Sequence, residues 1–445
     1  MNYLIQNGNI VSEDKVFVGD ILISNDKIQA ICEGKMASIP DNTEIIDATD
    51  CCVMPGVIDT HVHFREPGLT QKADMESESR AAAFGGVTSY FDMPNCVPQT
   101  TDLETLKQKQ QLAAEKSHVN YAFFFGATTE NTHLFKDIDK KTTPGVKLFM
   151  GSSTGNMLVD GEEALNKVFK TAAENDLIVM AHCEDNDIIK EQTQEVKMLY
   201  GEDADVSLHP IIRNREACKK SSLQAMVLAK QNNTKLHIAH ISTKEEAEIF
   251  TESAKQLELP ITFEACLPHI VFNDSDYKTR GSSIKCNPAV KTEEDQQAII
   301  NAIREGKIAT VATDHAPHTW EEKQGGCLKA TSGMPMLQFS LVSMLEKFDD
   351  IQLVSRLMSQ NPAKLFHISK RGFLKEGYKA DITIVKKSSE TWKLTKETIQ
   401  SKCGWSPLEG DEFHWSVVHT FCNGNHILNS GIFNDSIKGE PLLFD

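Results

Sequence analysis

Residues 53–63 read "VMPGVIDTHVH", an apolar run whose far end carries two histidines one residue apart. Successive side chains on a strand point to opposite faces, so His61 and His63 would point the same way. A run apolar on both faces reads as a strand buried on both sides, as in a parallel sheet. Two imidazoles side by side at its end form half of a metal grip. Two hydrogen-bonded polar residues in a turn would look the same in isolation, so the rest of the chain has to decide.

Seven more runs of this kind follow: "GVTSYFDMPN" (86–95), "NYAFFFGAT" (120–128), "GVKLFM" (145–150), "LIVMAHCED" (177–185), "KLHIAHIS" (235–242), "ITFEACLP" (261–268) and "IATVATDH" (308–315). Helical patterns such as "EEALNKVFKTAAEN" (162–175) and "KEEAEIFTESAKQ" (244–256) lie between them. Buried strands alternating with helices imply an α/β fold with a parallel sheet. An open doubly wound sheet is the alternative, but eight runs favour closure into a (β/α)8 barrel of the TIM type.

The two ends differ in style. Residues 1–53 and 366–445 are strand-rich ("NYLIQNGNIV", "GDILISNDKIQAI", "TEIIDATDCCV"; "GYKADITIV", "HWSVVHTFCNGNHIL"), with turn formers such as Asn7-Gly8 between runs. They are expected to form one small β domain together, flanking a barrel over 54–365. The chain has 445 residues, 40% hydrophobic and 24% charged, with a net charge of −17. That charge argues against nucleic acid and anionic membranes as main partners. It does not forbid an anionic small substrate, since a metal site can be locally positive. The 11 cysteines are odd in number and contain no C-x-x-C, which suits reduced thiols in the cytoplasm. No stretch approaches the ~18 apolar residues of a membrane span, and the first residues lack a signal-peptide pattern.

In a barrel, chemistry gathers where strands end. His61 and His63 end run one, Lys147 lies within run four, His182 ends run five, His240 ends run six and Asp314 ends run eight. A single histidine in such a place is more often structural, as we read His237, and a single aspartate is more often a helix N-cap. Lysine inside an apolar strand is harder to dismiss, because buried lysine is rare unless paired. Five sites on five strands of one barrel make a joint structural explanation improbable. Four histidines and an aspartate exceed the needs of one tetrahedral zinc and fit two metals about 3.5–4 Å apart. Neutral lysine reacts with carbon dioxide to give a carbamate. Lys147 in that form would supply the anionic bridge and explain its own burial.

The motifs "PGVIDTHVHFREPGLTQK", "AAAFGGVTSYFDMPNCVP", "GVKLF", "AHCED", "HIAHISTKE", "ATDHAPH", "GYKADITIV" and "SPLEG" span nearly the whole chain, and through them it resembles the dihydroorotase family of the amidohydrolase superfamily. The resemblance implies a distorted barrel with a small β domain from both chain ends. It implies that His61, His63 and Asp314 bind one Zn2+, that His182 and His240 bind a second, and that carbamylated Lys147 and a hydroxide bridge the pair. It implies that Arg65, Asn95 and His318 hold a substrate carboxylate, with Asn287 as a further substrate contact. Cys96 stands where the family often has Thr, and "NPAVK" (287–291) where it often has "NPPLR".

The activity so implied is the reversible cyclisation of N-carbamoyl-L-aspartate to (S)-dihydroorotate in pyrimidine biosynthesis. The hydroxide would attack the ring carbonyl, and Asp314 would carry the proton to the leaving nitrogen. Rivals are an allantoinase or a dihydropyrimidinase/hydantoinase, whose uncharged rings have no use for Arg65, and a non-catalytic homologue, which would be expected to have lost metal ligands. A homodimer is the family expectation. Residues 319–326, "TWEEKQGG", are one candidate for a closing loop, hinged at Gly325-Gly326.

Overall fold

The computed structural model describes residues 1–151 and 157–445. The N-terminal strands are β1 (Asn2–Val11), β2 (Val16–Ser24), β3 (Lys27–Glu33), β4 (Thr43–Asp47) and β5 (Cys51–Pro55). Nine shorter strands follow: β6 (Val57–Val62), β7 (Val87–Asp92), β8 (Asn120–Phe123), β9 (Phe125–Gly126), β10 (Val146–Phe149), β11 (Val179–His182), β12 (Leu236–Ile238), β13 (Ile261–Cys266) and β14 (Thr310–Ala312). The chain ends with β15 (Ile382–Lys393), β16 (Glu412–Cys422), β17 (Asn425–Asn429) and β18 (Ile432–Phe433).

Strands β6 to β14 are the eight staves of a distorted (β/α)8 barrel, all paired in parallel. β8 and β9 are consecutive halves of one stave: β8 pairs with β7 and β9 with β10. The ring closes between its first and last strands through a Val62–His315 bridge, where the His63 amide donates to the His315 carbonyl at 2.7 Å. Every residue of β6, β7, β10, β11 and β12 is buried, which is why those runs lack the polar alternation of a sheet facing water. The helix Glu162–Glu174 turns Leu165, Val168, Phe169 and Ala172 inward at the spacing of one helical face. Residues 246–256 are helical too, but open with a π-helical turn, Glu246–Phe250.

Both chain ends build one nine-stranded sheet, in the order β18-β17-β16-β15-β5-β1-β2-β3 with β4 beside β1. β5 joins them, running parallel to β1 and antiparallel to β15. Gly56 alone separates β5 from the first stave. A Cβ there would lie 2.2 Å from the Thr88 hydroxyl, so the step from sheet to barrel leaves no room for a side chain. The last residues leave the sheet: Pro441 bridges to Tyr121, and Leu442 and Phe444 join Ile58, Phe91 and Phe366 in an apolar cluster. Among the described residues no cysteine is bonded to another, and no helix is long and apolar enough to cross a membrane.

Candidate active site

The first stave carries its polar residues to the barrel mouth on a fixed hinge. Asp59 is buried, and its Oδ1 accepts the His61 and Thr313 amides at 3.1 and 3.3 Å. Its Oδ2 accepts the Thr313 hydroxyl at 2.6 Å. The first and last strands are thereby locked together next to His61 and Asp314. Burial pushes the Asp59 carboxyl up to about 7, against these hydrogen bonds.

Three ligand-type atoms converge beyond this lock. His63 Nε2 lies 3.1 Å and His61 Nε2 3.5 Å from the same Asp314 oxygen, Oδ1. The opposite ring nitrogens are both occupied. His61 Nδ1 donates to Glu264 Oε1 at 2.8 Å and His63 Nδ1 to Asn95 Oδ1 at 2.7 Å. With Nδ1 held by a carboxylate or an amide oxygen, each ring turns its Nε2 toward Asp314. Burial opposes ionisation of Asp314, but the positive charge that His61, His63 and Lys147 can share beside it outweighs burial and holds the carboxyl well below its ordinary range. Burial likewise pushes His63 down to about 4, which keeps it neutral.

The second group faces the first. Lys147 Nζ is 3.3 Å from His61 Nε2, and the His182 Nδ1–His240 Nε2 distance is 2.9 Å. Burial lowers His182, His240 and Lys147 alike. Four imidazole nitrogens and one carboxylate around one cavity are a donor set suited to borderline cations such as zinc. The residues fit a binuclear centre in their chemistry: imidazole nitrogens and a carboxylate converge, Glu264 and Asn95 hold His61 and His63 from behind, and the buried Lys147 amine, its proton affinity lowered, lies beside them. His61, His63 and Asp314 also form a compact potential metal group by ligand-atom spacing alone.

Arg65 and His318 border this cluster. Arg65 is 7% exposed; its Nε donates to the Pro317 carbonyl at 3.0 Å and Nη2 approaches His318 Nε2 at 3.0 Å. Burial lowers the guanidinium to about 10, so it stays charged at neutral pH. Burial, with Arg65 and Lys72 close by, holds His318 neutral; Lys72 Nζ is 3.1 Å from its Nδ1. All ten candidate residues, Asn95 and Asn287 among them, line one cavity with Phe149, Ala316, Ser332 and Gly333. Arg65, His240 and Asp314 have φ of 67°, 37° and 49°. Left-handed backbone is uncommon outside glycine, though aspartate and histidine adopt it more readily than arginine, and such residues cluster at functional sites.

Several residues that shape the site carry no sequence signal of their own. Asp59, Glu264, Glu184 and His209 are fully or nearly buried and act on other side chains. Glu184 lies 3.0 Å from His182 Nε2 and also pairs with Arg213. Arg213 and His182 together overcome its burial and hold its carboxyl at about 2. Only their spatial neighbours mark these residues out. The "TWEEKQGG" stretch is tied down. Lys323 donates to the Lys285, Thr331 and Gly333 carbonyls, and a Cβ on Gly326 would lie 1.9 Å from the Ala204 carbonyl oxygen.

Comparison with known proteins places this geometry. The model of the Amidohydrolase family matches residues 52–427. A dihydroorotase of Lactobacillus delbrueckii subsp. bulgaricus is 31% identical over 438 residues, covering 97% of this chain and 100% of that one. An allantoinase of Bacillus velezensis is 32% identical over 442 residues, covering 95% of each. The solved L-hydantoinase of Arthrobacter aurescens has the same fold, with a TM-score of 0.94 over 99% of both chains at 24% identity. Identity at this level does not separate one ring substrate from another. With the family model spanning the barrel and much of the flanking sheet, the chain belongs to the amidohydrolase family and is a hydrolase by that membership.

Proposed function

We propose that this protein is a dihydroorotase, interconverting N-carbamoyl-L-aspartate and (S)-dihydroorotate in pyrimidine biosynthesis. The observation that carries this reading is a buried guanidinium, Arg65, in the same cavity as the His/Asp cluster and 3.0 Å from His318. A buried cation there suits a ring that bears a carboxylate, which allantoin and dihydrouracil lack. Asn95 and His318 would complete the carboxylate site, since charge-assisted and bidentate hydrogen bonds give such recognition its strength.

His61, His63 and Asp314 would hold one metal ion and His182 and His240 a second, with Lys147 as a carbamate between them; zinc suits the donors. Bound there, the metals would supply a water activated at neutral pH and a Lewis acid for the ring carbonyl. Asp314 lies within reach of both His61 and His63, and as an ionised carboxylate it is free to accept a proton. In the hydrolytic direction the ring C–N bond breaks and the carbonyl carbon gains OH. The proton taken up by Asp314 passes to the leaving nitrogen, and synthesis reverses these transfers. Glu264 and Asn95 keep the rings of His61 and His63 turned for this work.

Dihydroorotate, allantoin and dihydrouracil are the rings to assay in parallel on protein supplied with zinc and bicarbonate, with metal content measured on the same sample. Turnover of dihydroorotate alone is the expected result. Turnover of allantoin alone would keep the hydrolase centre and replace the substrate, in line with the allantoinase relative.

A further inference from the structure

His209 is buried and lies outside the metal-type cluster, at the start of the short helix His209–Ile212. Its Nε2 is 2.9 Å from the Cys286 carbonyl oxygen and 3.1 Å from Asn287 Oδ1. Both atoms are acceptors, so Nε2 carries the proton and donates to both. Nδ1 has no hydrogen-bond partner among the described residues, as fits a bare lone pair in that tautomer. Burial, with the Lys285 and Arg213 cations nearby, holds the ring far below the ordinary imidazole value and keeps it neutral.

The consequence falls on Asn287, which lines the cavity. An amide whose oxygen is taken from behind turns its NH2 forward. The same arrangement occurs across the cavity, where His63 Nδ1–H takes the oxygen of Asn95. Each of the two asparagines is therefore backed by an imidazole N–H.

We propose that His209 is a positioning residue that fixes the Asn287 amide as a hydrogen-bond donor, so that the site selects rings presenting a carbonyl oxygen there. Cyclic ureides, with a carbonyl between two nitrogens, are that class of ligand. This rests on the cyclic-amide reading above but not on which ring is opened.

The test uses the metal-loaded protein and whichever ring it turns over. His209→Phe removes the N–H at similar size and is expected to raise KM about tenfold, with kcat and metal content held, the worth of roughly one hydrogen bond. Gln places an amide N–H near the Nε2 position, so His209→Gln is expected to restore most of the affinity. A folded His209→Phe with an unchanged KM, or a His209→Gln no better than it, overturns the proposal.

Should His209→Phe fail to fold, two variants of Asn287 decide. With His209 holding one oxygen of an aspartate, the other faces the ring carbonyl as an acceptor. Asn287→Asp is then expected to be about tenfold worse in KM than Asn287→Ala. Equality, or the reverse order, overturns the proposal. A nitrogen spectrum of histidine-labelled protein, with the His209 signal assigned by His209→Gln, reads the tautomer without any substrate. Protonated Nε2 and bare Nδ1 are expected. The opposite tautomer overturns this inference even if dihydroorotate is turned over, and the expected one stands even if it is not.

Discussion

Lys109 and Lys147 are both buried, 1% and 0% exposed, and the structure treats them differently. Lys109 Nζ pairs with Asp92 Oδ2 at 2.7 Å and donates to the Met93 carbonyl at 2.8 Å. Although burial opposes its charge, Asp92 holds its pKa above the ordinary lysine value. Lys323, equally buried, donates to three backbone carbonyls, yet burial with Lys285 nearby lowers it to about 7, so matched carbonyls without a carboxylate do not hold its charge as Asp92 holds that of Lys109. Lys147 has His61 Nε2 at 3.3 Å and the Phe149 ring face at 5.3 Å, and no carboxylate or carbonyl oxygen in hydrogen-bond contact among the described residues. Burial lowers its pKa despite Glu264 and Asp314. A buried ammonium keeps its charge when a carboxylate is among its partners. A buried amine with no oxygen acceptor is shifted toward the neutral, nucleophilic form. The first two lysines hold loops in place; the third is poised for chemistry, in our reading as a carbamate.

Lys147→Met tests that contrast most severely. It should leave the barrel folded, lose bound metal, and lower turnover by about 10^4-fold, the scale of losing an activated nucleophile and its general base together. Chelated wild-type protein should recover only when zinc and bicarbonate are both returned. A Lys147→Met protein with full metal content and normal turnover would erase the distinction between the lysines.

Lys109→Met should act on stability instead. It strands the Asp92 carboxylate in the interior, where breaking a buried pair costs about 3–5 kcal/mol. Denaturant unfolding should show this, and adding Asp92→Asn should recover part of it. Asp92 Oδ1 also accepts the Phe64 and Met93 amides, so the segments bearing Arg65 and Asn95 should loosen. A stable Lys109→Met would mean that its matched hydrogen bonds matter little.

Arg65→Ala comes next in size. It should weaken dihydroorotate turnover about 100-fold in kcat/KM, the worth of a charge-assisted hydrogen bond, while metal content stays at the wild-type level. Normal turnover by this variant would remove the carboxylate assignment. The smallest effect concerns Glu184. Its folded carboxyl sits at about 2, below the ordinary glutamate value, so its stabilising contribution is present above that value and is lost as pH falls toward about 2. Glu184→Gln should flatten the acid limb of the stability curve there. An unchanged limb would show that the Arg213 pair contributes nothing across that range.

Much of the fold was legible because periodicity reports burial directly. "VMPGVIDTHVH" and "LIVMAHCED" are apolar on both faces only because helices and the barrel interior cover them. Asp314 and the four histidines were legible by position, since each follows such a run. Asp59 and Glu264 were not, because one acidic residue within an apolar strand has no periodic signature. Their importance comes from Thr313 and His61, distant in sequence by 254 and 203 residues.

The sequence by itself determined where the buried strands lie and which ionisable groups stand at their ends, and its count of eight favoured closure, which the Val62–His315 bridge shows. These follow from local hydrophobicity and strand periodicity. Tertiary structure alone decided which nitrogen of each histidine faces the cavity, which way Asn95 and Asn287 point, and which buried lysine lacks an oxygen acceptor. A proton's place on a ring is set by whatever sits opposite it, and that neighbour comes from another strand.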